Sequence, residues 1–192
     1  MSATERRERE RAQRHQLIIT AARELAEAEG WEAVTTRRLA ERVEYSQPVL
    51  YSHFANKDAI RDAVAIEGFG ELADLLRQAR ASAPEADGIR SICVAYLEFA
   101  AAHPAVYRAM FDMPTQVKFA SAETLPPLRA AFNEIVGAFG ADSERNGALA
   151  ELIWGALHGI AVLAKGGRMP EAMQGQRVDL LVTLFSNAPE RI

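Results

Sequence analysis

Apolar positions recur at three- and four-residue intervals along most of the chain, the spacing that gathers them on one side of a helix. Ile18, Ala22 and Leu25 form such a stripe in a first helix predicted over about residues 11–29, which Gly30 stops. Thr35 or Thr36 offers a capping hydroxyl to a short second helix whose Leu39, Ala40 and Val43 face inward. Ser46 opens a third helix, and Pro48 falls in its first turn, where a missing N–H costs nothing. Leu50 and Phe54, four apart, point into the core that Trp31 and Val34 plug. Asn56 caps a long fourth helix reaching to about Arg80, with Ile60, Val64, Leu72, Leu75 and Leu76 on its apolar side. After a turn-rich break at 81–88, helices are expected at about 89–102, 105–111, 127–139, 142–165 and 170–186. The stretch 112–127 holds Pro114, Pro126 and Pro127 and reads as a loop or a broken helix. Residues 1–13 show no apolar period and read as a frayed, solvated helix start. The rival reading is an arm whose Arg6, Arg7 or Arg9 reaches phosphates or the minor groove.

The third helix is informative for what it leaves outside. Gln47, Val49, Tyr51, Ser52 and His53 lie on its outer face and leading end, and none is needed for a core. Glutamine can pair with adenine and valine can pack on a thymine methyl, while Tyr, Ser and His can bond phosphate oxygens. A short helix presenting such residues fits a DNA major groove. Arg14 and His15, on the early turns of the first helix, are within the reach of backbone phosphate. Two-helix patterns are common in all-α proteins, so spacing alone leaves a plain pair of surface helices as an equal reading.

The run Thr36-x-x-Leu39-Ala40-x-x-Val43, then Ser46-x-Pro48-x-Leu50-Tyr51-x-His53-Phe54-x-Asn56-Lys57, resembles the DNA-binding domain of the TetR family of one-component transcriptional repressors. Ile18, Ala22 and Leu25, with Gly30-Trp31-x-x-Val34-Thr35, match the same family's entry, so the resemblance covers about the first 65 residues. It implies a helix-turn-helix domain over residues 1–57 and an effector-binding and dimerisation domain over 58–192. It also implies a homodimer on a palindromic double-stranded DNA operator, released by a small molecule. DNA contacts are expected from Thr36, Arg37, Gln47, Pro48, Val49, Tyr51, Ser52, His53 and Lys57. Two positions depart from the family: Glu44 stands where Gly is usual in the turn, and Val49 where Thr is frequent. Both bear on operator choice rather than on the fold.

Charge changes the picture little. The net charge is −4, but residues 1–57 carry ten Lys/Arg against nine Asp/Glu, and the remainder twelve against seventeen. A near-neutral first part argues against indiscriminate nucleic-acid coating without excluding a local basic face. Helix formers dominate a composition that is 49% hydrophobic. No apolar run approaches an uncharged membrane span and the N-terminus lacks a signal-peptide core, so a soluble, cytoplasmic protein is expected.

Catalytic and metal readings fall away. His15, His53, His103 and His158 are scattered, and the sequence has no P-loop, dinucleotide fingerprint or nucleophile elbow. Neither an enzyme nor a cofactor is expected. The single cysteine, Cys93, sits among apolar neighbours and reads as buried and inert.

Tyr96, Phe99, Tyr107, Met110, Phe111, Phe119, Trp154 and His158 lie in the later helices. Spacing alone favours a packed core. The TetR resemblance instead implies a ligand-binding bundle, and Trp154-x-x-x-His158-Gly159 is similar to a motif in one class of that family's C-terminal domains. Tyr96, Phe99, Tyr107, Met110, Phe111, Trp154 and His158 are therefore the candidate lining for an unknown small-molecule effector, of hydrophobic or aromatic character. The helices at about 142–165 and 170–186 carry more apolar face than one subunit needs, which points to a two-fold interface. Two rivals stand beside the repressor: an activator or DNA-organising protein without an effector, and a helical carrier or enzyme using residues 35–57 as scaffold.

Overall fold

The computed structural model describes residues 2–140 and 143–187. Among the described residues every regular element is helical, as the periodicity predicts. The order is α1 (Ala3–Glu29), α2 (Thr36–Arg42), α3 (Gln47–His53), α4 (Lys57–Ser82), α5 (Gly88–Ala102), α6 (Pro104–Phe111), α7 (Pro126–Gly137), α8 (Ser143–Lys165) and α9 (Gln174–Ser186). Short 3-10 turns, Glu85–Asp87 and Glu171–Met173, precede α5 and α9. The expected helix start at Asp142 lies outside the described residues.

Helix α1 begins eight residues before its predicted start. The Ser2 hydroxyl accepts from the Glu5 N–H at 3.2 Å, and the Glu5 carboxylate accepts from the Ser2 N–H at 2.7 Å. This capping box starts the helix without any apolar stripe. The frayed-start reading is corrected accordingly. Gly30 ends α1 at φ +84, a conformation open to glycine.

The chain forms two compact units. The first runs to Gly68 and adds His103–Lys118; the second comprises Phe69–Ala102 and the chain from Phe119 onward. In the first, Ile18, Leu25, Trp31, Val34, Leu39, Leu50 and Phe54 are buried together. Helix α6 belongs to this unit through specific bonds. The Glu27 carboxylate accepts the Ala105 and Val106 N–H groups, each at 3.0 Å, so it satisfies two donors that a helix start leaves free. The Trp31 indole N–H donates to the Ala105 carbonyl at 2.8 Å. Gly68 lets α6 pass close to α4: a Cβ there would lie 2.5 Å from Val106 Cγ1 and 2.8 Å from Met110 Sδ. The segment after α6 is tied to α4, where Asp62 accepts from the Thr115 hydroxyl at 2.8 Å and the Gln116 N–H at 3.3 Å. The buried Arg61 guanidinium donates to the Pro114 carbonyl.

The second unit buries Leu72, Leu76, Ile92, Cys93, Tyr96, Phe99, Leu128, Ile135, Ile153 and Leu157. Glu134 of α7 takes Arg80 at 2.6 Å and Arg77 at 3.3 Å from the end of α4. Burial pushes the Cys93 thiol up to about 12, so almost no thiolate exists near neutrality. Leu152 on α8 and Leu180 and Leu184 on α9 stay 64%, 59% and 67% exposed. Arg145–Lys165 reaches a mean hydropathy of 1.6 and is long and apolar enough to cross a membrane by length and composition alone. Glu151 interrupts the run.

Candidate nucleic-acid interface

The outward face of α3 depends on how α2 ends. The Thr35 hydroxyl accepts the Arg38 N–H at 3.2 Å and starts α2. At the other end the Tyr45 N–H reaches the Ala40 carbonyl at 3.0 Å, and the Glu44 N–H reaches Glu41 at 3.4 Å. This is a Schellman closure, and it places Glu44 at φ +56. The turn thus takes the left-handed geometry that makes glycine the usual choice, with a glutamate in it. Ion pairs brace α2 on α1: Arg38 reaches both Glu29 oxygens at 2.6 and 2.9 Å, and Arg42 meets Glu24 at 2.8 Å. The Arg38 hydrogen bond holds the Glu29 carboxyl below the usual glutamate range.

Ser46 occupies the cap position of α3, but its hydroxyl makes no capping bond; its carbonyl accepts the Val49 N–H at 3.0 Å. Pro48 lies in the first turn as predicted. With Leu50 and Phe54 buried, Gln47, Pro48, Tyr51 and Ser52 are exposed, and Val49 and His53 are half-buried. Tyr51 is 52% exposed, high for an aromatic side chain and consistent with a surface that meets a partner. The Ser52 hydroxyl donates to the Val49 carbonyl at 2.7 Å, which commits its proton inside the helix. Lys57 is half-buried and its ammonium donates to the Trp31 carbonyl at 2.7 Å, leaving two N–H groups for another acceptor. Thr36 is half-buried at the start of α2, and exposed Arg37 pairs with Glu41 at 2.9 Å.

His53 meets α1. His15 stacks on Phe54 with ring centroids 4.3 Å apart and lies 6.1 Å from the His53 ring. The buried His53 Nδ1 has no hydrogen-bond partner. Burial first, then the charges of His15, Arg11 and Arg14, hold His53 below the ordinary histidine range. No spacing rule in the sequence pairs residues 38 positions apart, so this contact was not foreseen.

The candidate effector residues divide between the two units. Tyr107, Met110 and Phe111 belong to the first, where the Tyr107 and Phe111 rings lie 4.8 Å apart. Tyr96, Phe99, Trp154 and His158 belong to the second, where the Trp154 indole N–H donates to the Tyr96 hydroxyl at 3.1 Å. Phe119 is exposed and its ring lies 5.7 Å from that of Phe69. The second unit also has an open groove of about 490 Å³ along Leu75, Ala79, Pro84, Arg90, Val94 and Glu98, which none of these aromatic candidates lines.

Comparison with known proteins places this geometry. Residues 18–64 match the family of bacterial regulatory proteins of the tetR type. Residues 89–185 match the tetracyclin repressor-like C-terminal domain. The chain belongs to the TetR family. An uncharacterised HTH-type transcriptional regulator of Mycobacterium tuberculosis is 27% identical over 159 residues, covering 80% of this chain and 71% of its own. A Rhodococcus sp. RHA1 protein of unknown function superposes with a TM-score of 0.76 at 22% identity, covering 92% of this chain and 95% of that one. A TetR Q116A variant from Acinetobacter baumannii AYE, in complex with minocycline, gives 0.66 at 20% identity over 91% and 97% of the two chains. BioQ with its double-stranded DNA operator gives 0.65 at 21% over 90% and 97%. As a TetR-family member the protein is a DNA-binding transcriptional regulator and not an enzyme. The match over residues 18–64 takes in α2 and α3, the helix-turn-helix of that family.

Proposed function

We propose that this TetR-family regulator is a cytoplasmic, homodimeric repressor that leaves a palindromic operator when a hydrophobic or aromatic small molecule binds. The observation that carries the reading is α3, whose buried Leu50 belongs to the core while Gln47, Pro48, Tyr51 and Ser52 are exposed. Gln47 and Val49 read base edges from the leading turn, and Tyr51 and His53 hold the backbone. Pro48 starts the helix, while Ser52 contributes through its hydroxyl oxygen. Thr36, Arg37 and Lys57 flank the groove as further backbone contacts. Residues 1–57 supply this head and residues 58–192 the effector-binding and dimerising part.

Support for a second copy comes from α8 and α9. Leu152, Gly155, Gly159 and Val162 fall on one stripe of α8, and both glycines face open space. Exposed Leu180 and Leu184 add to it from α9. Two such faces related by a two-fold axis would bury each other. Support for an effector comes from the Trp154–Tyr96 pair, a polar contact within an apolar bundle, and from the minocycline held by the Acinetobacter structure. Effector binding would favour a dimer whose two α3 helices no longer match major grooves about 34–36 Å apart. A coupling of about 2 kcal/mol lowers operator affinity roughly 30-fold.

The test is selection of duplexes from a random DNA library by the purified protein. Enrichment of a palindrome is expected, with Gln47→Ala and Tyr51→Ala abolishing it while sedimentation still shows a dimer. A variant pair that footprints the same palindrome would overturn the assignment of α3.

A further inference from the structure

Helix α1 extends well beyond the core it packs on, and its free turns are not uniform. Arg7, Arg11 and Arg14 are spaced four and three apart, on the line that continues to buried Ile18. Arg11 and Arg14 act electrostatically on His53 at the C-terminal end of α3. His15 lies beside them, stacked on Phe54 and 6.1 Å from the His53 ring. The Arg11 and Arg14 guanidinium groups and two imidazoles thus meet from two helices, with Arg7 a turn further out on the same face of α1. The Glu10 carboxylate lies 4.0 Å from Arg14 on the exposed side.

A long contact with an exposed carboxylate leaves the arginines open to a stronger anion. A phosphodiester would supply one, and reading-helix geometry puts backbone phosphates beside the groove that α3 enters. We propose that Arg7, Arg11, Arg14, His15 and His53 form a phosphodiester clamp on the DNA backbone flanking that groove, and that the clamp takes up one solvent proton as it closes. This rests on the reading of α3 given above.

The sign follows from the surroundings of His53. In the free protein burial, the neighbouring His15 and the cations Arg11 and Arg14 disfavour its proton. Its folded pKa is below the unfolded one, so the free fold loses stability as pH falls through the ordinary histidine value. A phosphate oxyanion opposes those cations and favours the imidazolium. The complex therefore binds more protons than the free protein, and affinity rises as pH falls.

The test uses the full-length protein and the duplex enriched in the library selection, titrated at about pH 6 and about pH 8 at one ionic strength. Binding should be at least about fivefold tighter at the lower pH, and the His15→Gln/His53→Gln variant should keep less than about twofold of that gain. Arg11→Ala/Arg14→Ala should lower the slope of log affinity against log salt by about two. The His53 ring resonance of the unmodified protein should titrate at higher pH in the complex than alone, a readout that needs no variant to fold. Equal affinity at both pH values, the full gain persisting in the histidine variant, an unchanged salt slope, or a His53 titration that stays or moves down would each overturn the clamp. Loss of all duplex binding at every pH would instead remove the reading of α3, and the clamp with it.

Discussion

Glu44 shows how one backbone angle shapes the reading head. At φ +56 its Cβ is crowded against the following peptide, while the turn it closes makes both Schellman hydrogen bonds. Glu44→Gly is expected to raise stability by about 0.5–1 kcal/mol, since relief of strain exceeds glycine's entropic cost. Glu44→Val should lose at least about 1 kcal/mol. Urea midpoints at unchanged slope would check both. Single residues were legible in the sequence where burial decides them: Leu39, Ala40, Val43, Leu50 and Phe54 all pack inward as their spacing requires. Hydrogen-bond roles were less legible. Ser46 holds the cap position without using its hydroxyl, and Lys57 gives its ammonium to the Trp31 carbonyl. Such choices depend on neighbours that spacing does not reveal.

Elements were readable from periodicity and caps, and failed where neither was the determinant. Helix α1 begins at Ala3 because Ser2 and Glu5 cap each other; a search for apolar stripes passes over that signal, although Ser-x-x-Glu is visible in the sequence. Helix α6 was expected where it is found, within one residue at its start. Its membership of the DNA-binding unit was not expected, because Glu27 and Trp31 reach it across more than 70 positions. That docking depends on Gly68. Gly68→Ala would push a methyl against Val106 Cγ1, a branched side chain with little freedom to yield. A loss of about 1–3 kcal/mol is expected, measured by denaturation, with Gly70→Ala as a control because nothing lies within 4 Å of that position. Equal effects at the two glycines would show that close approach of α6 is not what Gly68 serves.

For the whole molecule, the unspent apolar surface of α8 and α9 makes assembly the property most open to a direct test. Leu152→Glu combined with Leu184→Glu should weaken the proposed dimer by on the order of 3 kcal/mol or more, because each charge would be buried without a partner. Light scattering behind a sizing column should then find a dimer for the parent chain and a monomer for the variant, with helical content retained. A dimer that survives both changes would place the two-fold contact elsewhere. The chain also holds just two tryptophans. Trp31 is 1% exposed and bonded to α6 in the first unit, and Trp154 is half-buried against the Tyr96 hydroxyl in the second. Indole emission, excited beyond the tyrosine absorption band, therefore comes from two addresses, one per unit. Replacing either indole by phenylalanine leaves a single indole, whose colour and lifetime report on the other half alone. Whether head and body answer a stimulus in step or in turn becomes a question for a fluorimeter, with no dye attached.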